Sequence, residues 1–268
     1  MYVLCIVAAA VISSLLAVVT SYLLIKGFSS VSLDFFTKVP TGDPSDPGGM
    51  RHALEGTVML LAMASAVGVP LGILVGIYLS EYTPEWWLVA PVRFICAGLA
   101  GVPSIVIGIL GYELLVVPMG HFSGYAGALA LAFIMVPIVA RTTEEMLRLV
   151  PQSYREASMG LGATRSQTIV KVILPAATGS IVTGVMLAMA RVAGETAPLL
   201  FTAATSRLLP RDPSQPFPSL TVQIYHYVSG PYESQHKLAW AGMIVLIGLL
   251  LIINVSLRYA ASRSVRLK

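Results

Sequence analysis

Two ionisable residues stand inside an otherwise apolar stretch, Ala190-Arg191-Val192-Ala193-Gly194-Glu195-Thr196-Ala197-Pro198-Leu199. An ionisable group in a long apolar segment is disfavoured by about a few kcal/mol, so it normally faces a cavity and finds a partner. Four residues apart, Arg191 and Glu195 are expected on one helix face, about 5–6 Å from each other. Two readings follow. They form a buried pair that fixes helix packing, or they line a passage together with Thr196. A guanidinium fork donates paired hydrogen bonds that suit a tetrahedral oxyanion. A carboxylate beside it repels a fully ionised anion. It can still accept a hydrogen bond from an oxyanion that carries a proton.

What must position these groups is a set of long helices. The chain has 268 residues, 56% hydrophobic and only 11% charged, against about 25% charged for a soluble domain. The mean hydropathy is +0.80. So few charges cannot cover a water-soluble surface of this size, and the bilayer must act as part of the solvent. A spanning helix needs about 20 mostly apolar residues. Six stretches qualify: 2–25, 56–79, 91–117, 125–140, 172–197 and 238–257. Helices are expected because lipid offers no partner to backbone N–H and C=O groups. The short alternating segments of a membrane barrel are absent. The expected fold is therefore all-α, with six transmembrane helices. The first stretch is too long for a signal peptide, and no Lys or Arg precedes Lys26. Arg191 lies 16 residues beyond Pro175, roughly 24 Å of helix rise, which places it in the outer half of the membrane.

With the N-terminus inside, most of the basic residues fall on the inner side. They gather in the loop from Arg141 to Lys171 and in the tail carrying Arg258, Arg263, Arg266 and Lys268, as the positive-inside rule favours. The net charge of +4 thus reports topology and not a nucleic-acid partner, since no stacking aromatics interleave with the basic residues. Trp86 and Trp87 are placed as interfacial anchors. Gly68, Gly72 and Gly76 recur every four residues along one face of the second span, where small residues permit close helix contact. The third span carries Gly101, Pro103, Ser104 and Gly108, again packing positions, with a kink expected at the proline. Pro40 to Gly49 is a run of turn formers, read as an outer loop. A longer outer loop follows the fifth span, irregular through Pro210, Pro213, Pro216 and Pro218, with a short helix expected over 219–228.

Other chemistries find no support. Cys5 and Cys96 fall in apolar segments, as inert core residues. His52, His121, His226 and His236 sit on outer loops without ligand spacing, so no metal site is expected. No spanning segment holds a histidine, and Asp34, Asp43, Asp46 and Asp212 are all in outer loops, which speaks against a membrane enzyme. No Gly-x-x-x-x-Gly-Lys-Ser/Thr phosphate loop occurs, so ATP is not expected to bind this chain by that route.

The longest inner loop, 141–175, reads as helical with a break at Pro151. Within it stands Glu156-Ala157-Ser158, then three residues, Gly162, nine residues, and Val172-Ile173-Leu174-Pro175. This resembles the EAA loop of importer permeases in the ATP-binding-cassette (ABC) superfamily. Ser158 replaces the usual Ala, and Val172 the usual Ile. Small residues at 157 and 158 let a short helix press into a groove on a partner. Gly162 permits a turn that a Cβ resists, and Pro175 suits the first turn of the next helix. Such an element couples a partner ATPase to the membrane helices by rigid-body motion.

The run Ala190–Leu199, together with Gly101-Val102-Pro103-Ser104-Ile105-Val106-Ile107-Gly108 in the third span, is similar to the PstA family of phosphate-specific permeases. The Gly-Glu-Thr-Ala-Pro-Leu run looks more like that family than its PstC partners. With the EAA loop, the likeness covers about 56–199. It implies a type I (MetI-like) permease fold in the bacterial inner membrane, paired with a second, PstC-like permease. It further implies a PstB-like ATPase dimer that carries ATP and Mg, and an external PstS-like phosphate-binding protein. Arg191 and Glu195 match that family's intramembrane Arg and Glu. Phosphate keeps a proton at neutral pH and sulfate does not, which fits the carboxylate. Molybdate or sulfate permeases are the alternative. The expected organisation is 1–55 (first span and outer loop), 56–258 (core with five spans) and 259–268 (inner tail). The likeness explains neither the Pro-rich outer loop nor the bare N-terminus.

Overall fold

A computed structural model of the chain describes residues 1–43, 46–82 and 87–266. Trp86, Lys268 and the side chains of Arg258, Arg263 and Arg266 lie outside the described residues. The described chain is helical: α1 (Tyr2–Phe28), α2 (Leu33–Thr37), α3 (Arg51–Glu81), α4 (Val89–Gly101), α5 (Ser104–Met119), α6 (Gly124–Arg148), α7 (Gln152–Gly160), α8 (Arg165–Ala193), α9 (Ala197–Thr202), α10 (Leu220–Ser229) and α11 (Glu233–Arg266). Of these, α1, α3, α6, α8 and α11 are long and apolar enough to cross a membrane, and the bent pair α4–α5 makes a sixth span if counted as one. The chain is a multi-pass membrane protein.

The third span is not the kinked rod that the sequence suggests. α4 and α5 meet at 104°. Pro103 has no N–H to continue the ladder, and its ring drives the preceding residue out of the α region. Val102 (φ −69°, ψ 131°) and Pro103 (φ −56°, ψ 134°) are accordingly both extended. Two extended residues in a row redirect the chain, where one missing hydrogen bond would only bend it. α5 restarts at once, with Val106 N–H donating to Pro103 C=O at 2.9 Å.

The core forms where α3 crosses α6. A Cβ on Gly68, Gly72 or Gly76 would stand 3.1, 2.6 or 2.5 Å from the Cβ of Met135, Val139 or Thr143. The glycine stripe is therefore what lets the two helices touch. Gly101 is the exception among the expected packing positions, since a Cβ there meets nothing within 4 Å. It sits at the end of α4, beside the extended pair, and not against a second helix. α1 stands largely apart. Its residues are exposed except near Gly27, which abuts Ile244 of α11, and Cys5 is exposed with them instead of in a core.

The Pro-rich outer loop has a structural task. The first N–H groups of a helix have no intrahelical partners. At the start of α6, Gly124 and Tyr125 N–H donate to Gln215 and Pro213 C=O at 3.1 Å each, and Ser123 Oγ accepts from Ala126 N–H at 3.1 Å. Phe217 is buried against Gly124. The expected short helix follows as α10, capped by Ser219.

Candidate functional site

The last turn of α8 carries Arg191. Gly194 and Glu195 N–H donate to Arg191 and Val192 C=O, at 3.2 and 3.1 Å, and these i→i−3 bonds tighten and end the helix. Pro198 in the first turn of α9 keeps the chain from running on. Glu195 therefore lies past the helix end, not on one continuous helical face with Arg191. The break nonetheless leaves both groups at the same place. They line a small cleft with Leu99, Ala100, Val102, Ser104, Ile107, Ile134 and Ile138. The α8–α9 break thus faces the α4–α5 break.

Among the described residues no ion pair joins Arg191 to Glu195. Arg191 is exposed and Glu195 half-buried. The Glu195 backbone is held by Thr221 Oγ1, which donates to its carbonyl at 3.1 Å. Thr196 is half-buried in the same connection, its carbonyl accepting from Leu200 N–H at 3.1 Å. Gly108 brings α5 onto α9, since a Cβ there would be 2.9 Å from Pro198 Cα. The arrangement is a cation and an acceptor on apolar walls, each with hydrogen-bonding capacity free for a third party.

The second group of residues lies at the opposite end of the helices. α7 opens after Pro151 and buries none of its residues. Glu156 and Ala157 are exposed, as are Tyr154, Met159 and Leu161. Its C-terminus closes through Leu161, Gly162 and Ala163 N–H, donated to Ala157, Met159 and Ser158 C=O at 3.1, 2.9 and 3.2 Å. Gly162 has φ +86°, a left-handed conformation that favours glycine. Ser158 Oγ lies 2.9 Å from Thr168 Oγ1, tying α7 to α8. Thr164 and Gln167 form a capping box at the start of α8. The helical rod therefore begins at Arg165 and not at Val172. Pro175 follows a π-helical turn, Ile169–Ile173, which accommodates its missing N–H. Pro118 follows a similar turn, Tyr112–Val116. Leu174 packs against the cluster of Leu147, Ile173, Ala177 and Ile181.

Sequence reasoning missed a set of ion pairs beside this loop. Arg155 NH2 and Nε donate to Glu81 at 2.7 and 3.2 Å, while NH1 and NH2 reach Val150 and Leu147 C=O at 2.8 and 3.0 Å. Arg93 NH2 and Nε donate to Glu144 at 2.8 and 3.1 Å, and NH2 also reaches Leu79 C=O at 3.3 Å. Arg148 pairs with Glu144 at 2.7 Å. The only sequence signal was that charges stood at the ends of apolar segments, where they served to assign topology.

Broken spans that meet at a charged cleft, with an exposed helical loop at the opposite end of the helices, suit a membrane permease. Residues 68–266 match the family of binding-protein-dependent transport system inner membrane components. The chain is 42% identical over 233 residues to the phosphate transport system permease protein PstA of Yersinia pestis, covering 87% of this chain and 79% of that protein. It is 43% identical over 237 residues to the protein of the same name from Xylella fastidiosa, covering 88% and 82%. Among solved structures, an inward-facing methionine ABC transporter, MetNI, shares the fold with a TM-score of 0.60 at 22% identity, over 81% of this chain and 94% of that one. The chain belongs to the binding-protein-dependent inner membrane components and, within them, to the PstA permeases. Membership makes it a transport subunit and not an enzyme, with an ATPase and a substrate-binding protein as partners.

Proposed function

We propose that this chain is the permease subunit of an ATP-driven inorganic phosphate importer, forming half of the translocation pathway. The observation that carries the reading is the cleft where Arg191 and Glu195, unpaired with each other, face the break between α4 and α5. The guanidinium suits a tetrahedral oxyanion, and the neighbouring carboxylate suits one that keeps a proton. The names of the relatives favour phosphate over molybdate or sulfate.

In this reading Arg191, Glu195 and Thr196 lie on the pathway. Gly68, Gly72, Gly76, Pro103, Ser104 and Gly108 set the packing around it. Glu156, Ala157, Ser158, Gly162, Leu174 and Pro175 form the element that docks on the ATPase. The second permease is PstC-like, the ATPase dimer PstB-like with ATP and Mg bound there, and the external phosphate-binding protein PstS-like. The assembly sits in a bacterial inner membrane. The test is uptake of radiolabelled phosphate into vesicles holding the complex, with ATP inside and the binding protein outside. ATP-dependent uptake that resists excess sulfate and molybdate is expected. Uptake abolished by either competitor moves the substrate to that anion.

A further inference from the structure

The ion pairs at the inner ends of the helices converge. Arg155 belongs to α7, the exposed helix offered to the ATPase. It grips the last residue of α3 through Glu81, and its NH2 also reaches the Leu147 carbonyl near the end of α6. Arg93 belongs to α4. It grips Glu144 of α6, and the same guanidinium reaches the Leu79 carbonyl of α3. Both pairs therefore meet on the inner ends of α3 and α6, which are themselves locked together by the Gly68–Gly72–Gly76 contact. The acceptors are well sheltered: the Glu81 side chain is 6% exposed and that of Glu144 is 9% exposed. α4 then runs without interruption from Arg93 to Gly101, and at Val102 and Pro103 the chain turns through 104° beside Arg191 and Glu195.

We propose that Arg155 and Arg93 are positioning residues, a clasp through which displacement of α7 is carried to α4 and so to the broken-helix cleft. A flexible connection cannot do this. The α7–α8 connection turns at Gly162, with the Ser158–Thr168 hydroxyl contact beside it, whereas Arg155 bridges both oxygens of Glu81 and Arg93 grips one oxygen of Glu144 through two nitrogens, which fixes direction as well as distance. A rigid element with two arrangements, biased from one end, is what coupling across a protein needs. The proposal rests on the reading of α7 as the ATPase contact, and it is independent of which anion crosses.

The test uses the whole importer reconstituted with its partners. Spin labels are placed at the exposed positions Ile109 in α5 and Leu251 in α11, so that the distance reports the membrane helices at the cleft and not the motion of α7 itself, with Cys5 and Cys96 replaced by serine. In the parent, ATP binding shifts the distance between labels. Arg155→Lys and Arg93→Lys keep the charge, and so the assembly, but lose the fork. The expected result is a lost or much smaller ATP-induced shift, with binding-protein-stimulated ATP hydrolysis retained and anion uptake per ATP down about tenfold. A parent-like shift in both variants overturns the proposal. So does a fall in uptake and hydrolysis together, in proportion to complex assembled. If the parent complex shifts on ATP but takes up no phosphate, the substrate reading fails and the clasp is still judged by the label distances.

Discussion

The cleft and the clasp, at opposite ends of the helices, hold the same two side-chain types in opposite arrangements. At the clasp, every Arg–Glu partnership is made. Glu81 accepts two bonds from Arg155, and Glu144 is shared by Arg93 and Arg148. At the cleft, Arg191 and Glu195 share a lining and no ion pair. The local geometry explains the contrast. Arg155 approaches Glu81 from a separate element, free to adopt the forked geometry. Glu195 is tied to its own helix end, because Gly194 stops α8 and Thr221 anchors the Glu195 carbonyl. A charge satisfied within the chain contributes to rigidity. One left unsatisfied on apolar walls is available to a ligand. The two regions should therefore respond in opposite ways to loss of a guanidinium.

The largest effect is expected at the clasp. Arg155→Ala leaves Glu81 buried without its partner, and breaking a buried pair from one side typically costs about 3–5 kcal/mol. Thermal unfolding of the detergent-solubilised complex should show the loss. If Arg155→Ala melts with the parent, the pair is ornamental and the contrast collapses. The glycine stripe comes next. Gly72→Ala places a Cβ about where Val139 already stands, 2.6 Å away, and overpacking of this kind costs roughly 1–3 kcal/mol. Gly101→Ala, with open space around it, should be near neutral by the same assay. Equal effects at the two positions would mean that α3 and α6 part more easily than their contact indicates.

Arg191→Ala sharpens the comparison from the other side. The residue is exposed and has no ion-pair partner among the described residues, so its removal should alter stability by no more than about 0.5 kcal/mol. Uptake of phosphate should nonetheless be lost. A melting temperature lowered as far as that of Arg155→Ala would return Arg191 to a packing role.

How far these arrangements could be read beforehand depends on the range of the interaction. The fourfold glycine spacing is a local pattern, and the face it marks is the α3 face that abuts Met135, Val139 and Thr143 of α6. The EAA spacing placed α7, because turn, cap and helix all lie within a few residues of each other. Pro103 marked a disturbance and, through its ring, an extended Val102, but the size of the turn depended on Pro103 also being extended, which its fixed φ does not decide. The extent of α8 was misjudged at both ends. Thr164 starts it before Val172, through a π turn that a sequence pattern does not reveal, and Gly194 ends it before Glu195 and Ala197. Arg155 and Glu81 are separated by 74 residues, with no periodicity linking them. Such a pair becomes visible only once α3, α6 and α7 are in place.

The smallest structural change carries the finest test of the cleft. Glu195→Gln removes a charge and little else: shape is kept, the Thr221 bond is to the backbone, and no ion-pair partner loses its mate. Stability should be unchanged. What changes is the treatment of anions. The carboxylate repels any fully ionised oxyanion, and it offers an acceptor to one that retains a proton. The amide no longer repels and accepts more weakly. Sulfate should therefore compete better for uptake in the variant, by about tenfold if the relieved repulsion is on the order of 1.4 kcal/mol, while uptake of phosphate, which keeps a weaker acceptor, falls only modestly. Competition curves with unlabelled sulfate, run beside the parent, read this directly. Unchanged selectivity would sink the role given to Glu195 and leave Arg191 as the one side chain that recognises the anion. Selectivity would then have to come from the external binding protein, before the anion reaches the membrane.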